Sequence, residues 1–306
     1  MQTVIFYHND TDGWASAWCM HKYVTMKLDE PEPVMIQVAY DKEPDIPLWM
    51  IKGKRVMVLD YCFNEDTMYW LVNESSEFYW FDHHKSNEDF SQDLLDYSNS
   101  EKCPNKNVTM VFNTGQAGCM LCYAWLPLSL LRDKFPYAQQ VMLYVQDRDI
   151  WVWYYKPLSE YFTNAIVNLP CNIESWDKIC SSKVELDKIL EQGYGVEKYK
   201  EFLVGMSLKH ARWHCLGDGT EVCVVNSPLL ASDIGEAVRA KKGWEEGDKG
   251  LIMVWFLNSE GTYLYQLRSA GGTDCSVLAK KHGGGGHIRA AGFTADFDPN
   301  SALLVL

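Results

Sequence analysis

Several features that would assign the chain to a specialised class are missing from its 306 residues. No apolar run approaches the roughly 18–20 residues of a membrane-spanning helix, so we expect no membrane partner. Glycine and proline, at 21 and 11 residues, are neither abundant nor periodic, which excludes a fibrous repeat. The first residues lack the basic and apolar regions of a signal peptide, and we therefore expect a cytoplasmic location.

Basic residues are also scarce. The chain has 28 lysines and arginines against 41 aspartates and glutamates, which gives a formal net charge of −13. Proteins that bind long nucleic acid usually present a basic face, because release of counterions from the phosphates dominates the affinity. We therefore expect no binding to long duplexes, and any phosphate-bearing substrate should be short. An excess of acids also suits a protein that holds divalent cations with carboxylates.

The ten cysteines are scattered along a chain that is too long for a small disulfide scaffold, so we expect free thiols. One Cys-x-x-Cys pair, Cys119 and Cys122, lies in an apolar helical stretch. A structural zinc site would need a second ligand pair at suitable spacing, and none is evident in the sequence. We interpret the pair as core residues, with a redox or zinc role as the alternative.

Short apolar runs alternate with helical patterns in the first half of the chain. Five runs, at residues 3–7, 34–39, 55–59, 78–81 and 108–112, are typical of buried strands. Helical patterns lie between them at residues 14–27, 65–73 and 116–131. This alternation predicts an α/β fold with a largely parallel sheet, in which function gathers at the carboxyl ends of the strands.

The second half predicts a different arrangement. A charged helical segment covers residues 183–214, followed by strands at 222–225, 250–257 and 262–268 and a helix at 233–239. We predict an N-terminal domain at residues 1–190, a helical linker at 191–207 and a smaller α/β domain at 208–306.

Polar residues follow the predicted strands directly. His8, Asp10 and Asp12 alternate after the first strand, so their side chains could converge before Gly13 lets the chain turn into a helix. Ordinary loop and helix-capping chemistry explains this motif equally well.

Three further clusters of acids and histidines argue against loop and helix-capping chemistry as the whole explanation. Asp60 ends the third strand, residues 82–84 (Asp-His-His) end the fourth, and Asp147 and Asp149 end a helical stretch. Carboxylates and imidazoles together suit Mn²⁺ or Mg²⁺ better than a structural zinc. The acids outnumber the needs of one ion, which points to two ions that act on a phosphoryl group.

These clusters, in this order, resemble the four motifs of the Asp-His-His (DHH) phosphoesterase superfamily. The C-terminal Leu267-Arg268-Ser269 and the run from Gly284 to Gly292, Gly-Gly-Gly-His-x-x-Ala-Ala-Gly, resemble its DHH-associated domain. The resemblance implies a catalytic domain, a helical linker and a substrate-binding domain, with the active-site cleft between the two domains.

The resemblance also implies roles for the motif residues. Two manganese ions, with Mg²⁺ or Co²⁺ as substitutes, would be bound by His8, Asp10, Asp12, Asp60, His83 and Asp147. Asp60 would bridge the ions, Asp82 would orient the neighbouring ligands, and His84 would face the scissile phosphate. The fourth motif stays open, because Asp149 could replace Asp147 as the ligand.

In the C-terminal domain the implied substrate-binding residues are Arg268, Ser269, Gly284, Gly285, Gly286, His287 and Arg289. Glycines let backbone N–H groups approach an anion closely, and arginine recognises phosphate with two parallel hydrogen bonds. A flexible loop at residues 283–286 is the alternative.

The implied function is hydrolysis of short oligonucleotide or dinucleotide phosphodiesters, and also of nucleotide phosphomonoesters, by attack of a metal-activated water. The alternatives are a pyrophosphatase or polyphosphatase of the same superfamily and a non-catalytic nucleotide-binding scaffold. The sequence leaves open a homodimer, and it leaves open whether the aromatic run at 151–155 packs in the core or forms the rim of the cleft.

Overall fold

The computed structural model describes residues 1–40 and 44–305 and divides the chain into two compact units. Unit 1 comprises Met1–Glu197 and unit 2 comprises Lys198–Leu306. The division falls inside one helix, so the predicted linker at residues 191–207 lies within regular helix. In the described residues, no helix combines the length and the hydropathy that crossing a bilayer would require.

Unit 1 contains a five-stranded parallel sheet with the strand order β2-β1-β3-β4-β5. The strands are β1 (Thr3–His8), β2 (Val34–Val38), β3 (Arg55–Leu59), β4 (Glu77–Asp82) and β5 (Val108–Phe112). The α/β fold with a parallel N-terminal sheet is therefore confirmed. Because β3 lies between β1 and β4, three of the predicted polar clusters follow adjacent strands at the same edge of the sheet.

Helices cover both faces of this sheet. They are α1 (Thr11–Lys22), α2 (Leu48–Ile51), α3 (Glu65–Glu74), α4 (Glu88–Asn99), α5 (Gly118–Trp125), α6 (Leu128–Arg132), α7 (Ala138–Asp149), α8 (Leu158–Ile166), α9 (Ile173–Ser181) and α10 (Lys183–Leu208). A π-helical turn, Tyr23–Lys27, extends α1, and a 3₁₀ turn, Lys85–Asn87, precedes α4. The helical pattern at residues 116–131 is in fact two helices, because Pro127 precedes α6 in an extended conformation.

Alternate strand residues enter two separate cores, as a pleated strand requires. Ile5 and Tyr7 pack with α1, α5, α7, α8 and α9, while Val4 and Phe6 pack with α3 and α4 on the opposite face. Cys119 and Cys122 are buried in the first of these cores, and all ten cysteines are free thiols.

Unit 2 contains a six-stranded mixed sheet with the order β10-β11-β9-β8-β7-β6, in which only the β7–β8 pair is parallel among the described strands. Its elements are β6 (Arg212–Cys215), β7 (Glu221–Asn226), α11 (Ala231–Lys242), β8 (Gly250–Leu257), β9 (Tyr263–Ser269), α12 (Cys275–Lys280), β10 (Gly285–His287), β11 (Ala290–Ala295) and α13 (Pro299–Val305). Strands β6, β10 and β11 were not predicted from the sequence.

Candidate metal centre

Seven acids and histidines from the predicted motifs meet at one edge of the unit 1 sheet. They form three overlapping groups whose donor atoms all lie within 4.8 Å of one another: His8, Asp10 and Asp60; Asp60, His83 and His84; Asp12, His83 and Asp149. Asp60 and His83 each belong to two groups. The arrangement can hold more than one cation, because two of the groups share no residue.

Asp60 lies at the middle of this arrangement. Its side chain is 1% exposed, and its backbone adopts a left-handed conformation with φ of 54°, which is strained for a residue other than glycine. In the described structure neither carboxylate oxygen has a hydrogen-bond partner. Burial raises the pKa of Asp60 to about 7. A buried carboxylate without partners is costly, and a bound cation would remove that cost.

The first motif contributes His8 and Asp10 from the turn between β1 and α1. One oxygen of Asp10 accepts the Gly13 N–H at 2.8 Å and caps α1, while the other lies 2.7 Å from Nδ1 of His8. Burial alone would lower the pKa of His8, but the carboxylates of Asp10 and Asp60 outweigh it and raise the pKa to about 10. A Cβ atom on Gly13 would lie 2.1 Å from the His8 carbonyl oxygen, so this turn requires glycine.

Asp12 is anchored to a distant helix. Its carboxylate accepts the backbone N–H groups of Gly118 and Cys119, at 2.7 and 2.8 Å, where α5 begins. Burial and the charges of Asp60 and Asp149 raise the pKa of Asp12. Gly118 was not predicted from the sequence, and its lack of a side chain lets α5 approach the acids. A Cβ there would lie 2.8 Å from Cβ of Asp60.

His83 lies close to three of the four acids of the centre. Its Nε2 lies 3.2 Å from Asp60, 3.4 Å from Asp149 and 3.6 Å from Asp12. No other histidine in the described residues belongs to the group that contains Asp12. The ring is therefore placed to share a cation with these carboxylates.

Asp82 holds the adjacent histidine in place. It is fully buried, lies 2.7 Å from Nδ1 of His84, and accepts hydrogen bonds from the His83 N–H and the Asn87 side-chain amide. Burial opposes its ionisation, but these partners prevail and lower its pKa. Burial on its own would lower the pKa of His84. The neighbouring Asp82 carboxylate outweighs that effect and raises the pKa of His84 to about 9. The orienting role of Asp82 fits this geometry, whereas the contribution of Asn87 was not predicted.

The fourth motif places Asp149, rather than Asp147, at the centre. Asp147 belongs to no donor group in the described residues. Its carboxylate accepts the N–H groups of Tyr154 and Tyr155, at 2.6 and 3.0 Å, and the Ser159 hydroxyl at 2.5 Å. Residues two apart on a helix point in nearly opposite directions, about 200° around the axis, so only one of the two acids can face the centre. The geometry therefore brings Asp149, and not the predicted ligand Asp147, to the other candidate ligands.

Asp147 instead organises the aromatic run that follows. Its carbonyl oxygen accepts the N–H groups of Val152 and Trp153, and Trp151 and Trp153 both have positive φ. The guanidinium of Arg148 lies over both indole rings, at 4.5 and 5.0 Å from their centroids. Trp151 and Tyr154 are 55% and 79% exposed, so core packing is wrong as an account of these two residues.

Unit 2 places the predicted substrate-binding residues on neighbouring strands. Arg268 on β9 donates to the Ser232 hydroxyl, and the buried Ser269 donates to the Ile288 carbonyl. His287 ends β10 and is exposed, and Arg289 is ion-paired with Glu246. Binding of substrate by these residues stays a prediction.

Two glycines of unit 2, Gly284 and Gly286, lie too close to neighbouring backbone to carry a side chain. A Cβ on Gly284 would lie 2.1 Å from the Gly292 carbonyl oxygen, and one on Gly286 would lie 2.5 Å from Cα of Ala291. Gly285 and Gly286 belong to β10, which pairs with β11, so they are part of a sheet rather than of a flexible loop. Close backbone packing therefore explains Gly284 and Gly286 without a ligand.

No family model matches the chain. A curated relative, the uncharacterized protein R106 of Acanthamoeba polyphaga mimivirus, is 24% identical over 302 residues. The match covers 94% of this chain and 66% of R106, so the chain spans slightly less than two thirds of that protein's length.

Three solved structures share the fold. The DHH domain of a protein from a family of ribosomal proteins superposes with a TM-score of 0.57 at 12% identity, covering 99% of this chain and 85% of its own. The pGpG-specific phosphodiesterase PggH from Vibrio cholerae has a TM-score of 0.56 at 12% identity, and the match covers 100% of this chain and 98% of PggH. Exonuclease RecJ bound to manganese has a TM-score of 0.50 at 12% identity, and the match covers 99% of this chain and 88% of RecJ. The chain therefore has the fold of the DHH superfamily.

Proposed function

We propose that the chain is a divalent-metal-dependent hydrolase of phosphoester bonds whose substrates are short oligonucleotides or dinucleotides. The observation that carries this proposal is the Asp60 carboxylate, which is buried, lacks a hydrogen-bond partner in the described residues and lies between two sets of metal-type ligands. A purely structural acid would be expected to have hydrogen-bond partners, as Asp82 and Asp147 do.

The residues divide naturally into two cation sites. His8 and Asp10 would hold one ion, and Asp12, His83 and Asp149 would hold the other, with Asp60 shared between them. Carboxylate oxygens and imidazole nitrogens without thiolates favour manganese or magnesium. Manganese is the ion bound to RecJ, a protein of the same fold, and we propose it as the principal ion here.

Bound ions would contribute to catalysis electrostatically. Two bound divalent ions would supply positive charge to the attacking and leaving oxygens of a phosphoryl displacement and make the attacking water more acidic. The protein positions the other groups: Asp82 holds Nδ1 of His84, which leaves Nε2 of the partly exposed ring free to donate to a phosphate oxygen. Asp12 and Asp60 are buried, so little water competes for their carboxylate oxygens.

The substrate class rests on charge and on likeness of fold. A net charge of −13 disfavours long polyanions. PggH is a phosphodiesterase specific for pGpG, and RecJ is an exonuclease, so two proteins of this fold act on nucleotide phosphodiesters. In unit 2, Arg268 and His287 would bind the phosphate that is not cleaved.

The test is a comparison of substrates with the full chain and manganese. We expect cleavage of a 5′-phosphorylated diribonucleotide to mononucleotides, abolition of that cleavage by EDTA, and a lower kcat/KM on a 30-nucleotide single strand. Release of phosphate from pyrophosphate or polyphosphate, with no cleavage of the dinucleotide, would contradict the proposal in favour of the pyrophosphatase alternative. Binding of nucleotides without turnover of any of these substrates would contradict it in favour of a scaffold.

A further inference from the structure

A pocket in unit 1 adjoins the metal centre and is not explained by metal binding. Its volume is about 190 Å³, and one of its lining residues is Asp10, which contacts His8 in the centre. The apolar lining comes from Trp14 on α1 and from Ile166, Val167, Leu169, Pro170 and Trp176 around the connection between α8 and α9. An apolar chamber next to an ion site is suited to a substrate that is charged at one end and apolar at the other.

The walls of the pocket are fixed by packing. Trp176 and Ile166 are 2% and 6% exposed, and the indole of Trp14 packs edge-on against the Tyr7 ring at 4.8 Å. The indole N–H of Trp14 is buried without a hydrogen-bond partner in the described residues, which leaves an unsatisfied donor in this wall. The pocket is thus preformed, and its wall contains an aromatic ring and a donor.

The size and charge of the pocket limit what can occupy it. An apolar cavity of about 150 Å³ holds a benzene ring, so this volume holds one flat heterocycle. A phosphate would lose its hydration among these apolar groups and would be repelled by Asp10, so the anionic part of a ligand belongs at the ions instead. A neutral aromatic ring attached to a phosphate satisfies both conditions.

We propose that this pocket binds the nucleobase of the nucleotide whose phosphate lies at the metal centre. The proposal rests on the proposed function, since the base is joined through its ribose to the phosphate that is cleaved. It assigns recognition of the base to Trp14, Leu169 and Trp176, which line the pocket. Base stacking on aromatic side chains tolerates all four bases, so we expect weak preference among them.

Cys171 gives a test that does not depend on activity. This thiol lines the pocket and is exposed, and Cys215 in unit 2 is the other exposed thiol of the described chain. The protein, loaded with manganese, is labelled with N-ethylmaleimide, and each site is followed by peptide mass spectrometry. We expect adenosine 5′-monophosphate to slow labelling of Cys171 at least about threefold, with no effect of ribose 5-phosphate and no change at Cys215. Equal protection by ribose 5-phosphate, equal slowing at Cys215, or unchanged labelling of Cys171 would overturn the proposal.

A variant that fills the pocket gives the kinetic test. Ser175 lines the pocket in the first turn of α9, and its exposed neighbour Glu174 does not. We expect Ser175→Trp to raise KM for a diribonucleotide about tenfold. For the abasic analogue, which lacks the base next to the scissile phosphate, the same substitution should leave KM unchanged. Glu174→Trp should change neither KM, and manganese binding checks that both variants fold.

The outcomes separate the two proposals. Turnover with equal effects of Ser175→Trp on both compounds would overturn the base pocket and leave the phosphoesterase intact. Absence of any turnover together with selective protection of Cys171 by adenosine 5′-monophosphate would contradict the proposed function and support the pocket. Absence of both would contradict both.

Discussion

The carboxylate of Asp12 accepts a hydrogen bond from the backbone N–H of Gly118, 106 residues further along the chain, at 2.7 Å. The first motif of the metal centre is thereby tied to the start of α5, which is not part of any motif. The same glycine lies against Asp60, so α5 fixes the separation of two candidate ligands.

Gly118→Ala should damage the metal centre without removing a ligand. The new methyl group would lie within about 3 Å of Asp60 and Asp12, so the acids or the helix must move. We expect manganese affinity to fall at least about tenfold and the protein to lose about 1–3 kcal/mol of stability. Gly195→Ala is the control, since its Cβ would meet no atom within 4 Å and a helical alanine should stabilise by about 0.5–1 kcal/mol. Unchanged manganese affinity in Gly118→Ala would contradict the close packing described here.

Asp60→Asn should abolish turnover and leave the fold intact. The substitution keeps the shape of the side chain but removes the charge that two ions would share, and a loss of several kcal/mol of transition-state stabilisation lowers kcat by about a thousandfold. Manganese titration by calorimetry and steady-state kinetics provide the measurements. Asp66→Asn, at an exposed acid on α3, should behave as the unaltered protein. A near-normal kcat in Asp60→Asn would exclude a shared-carboxylate centre.

The fourth motif predicts opposite effects for two neighbouring acids. Asp149→Asn should weaken manganese binding with little change in stability, because this acid lies with Asp12 and His83. Asp147→Asn should keep the manganese affinity but destabilise the protein by about 1–3 kcal/mol and alter tryptophan fluorescence, because its carboxylate accepts the N–H groups of Tyr154 and Tyr155, directly after Trp153. The reverse pattern would restore Asp147 as the ligand.

Manganese affinity should increase with pH between about 6 and 8. In the metal-free protein the pKa of His8 is raised to about 10 and that of Asp60 to about 7, so His8 is protonated and Asp60 partly so at neutral pH. Cation binding must release these protons, and each proton released raises the affinity by about tenfold per pH unit. Calorimetry in buffers of different ionisation enthalpy counts the protons directly. An affinity that is flat over this range, with no proton release, would contradict the raised pKa values.

His287→Ala should raise KM and spare the metal centre. His287 is exposed in unit 2 and belongs to none of the donor groups. Loss of one hydrogen bond to a charged group costs about 1.5–3 kcal/mol, or about tenfold to a hundredfold in kcat/KM. Ile288→Ala, at the next exposed residue, should leave KM unchanged. A collapse of manganese affinity with unchanged KM would show that His287 is not a substrate-binding residue.

Local patterns in the sequence determined the architecture of unit 1 and most of its candidate ligands. Short apolar runs alternating with helical patterns require a parallel sheet, and polar residues directly after such runs must lie at its carboxyl edge. The clusters that contain His8, Asp10, Asp12, Asp60, His83 and His84 could therefore be located from their positions, and the resemblance to the DHH superfamily implied their roles. The helical pattern at residues 116–131 was visible too, although the break at Pro127 before α6 was missed.

Only the tertiary structure decided which of these residues act together. The strand order places β3 between β1 and β4, and no local pattern encodes that order because pairing joins residues about 50 apart in sequence. The choice of Asp149 over Asp147 depends on which side of α7 faces the sheet edge, and the need for glycine at position 118 depends on the approach of α5 to Asp60. These are distances between segments that are remote in the chain, and they are set by packing around a shared core rather than by the conformational preferences of neighbouring residues.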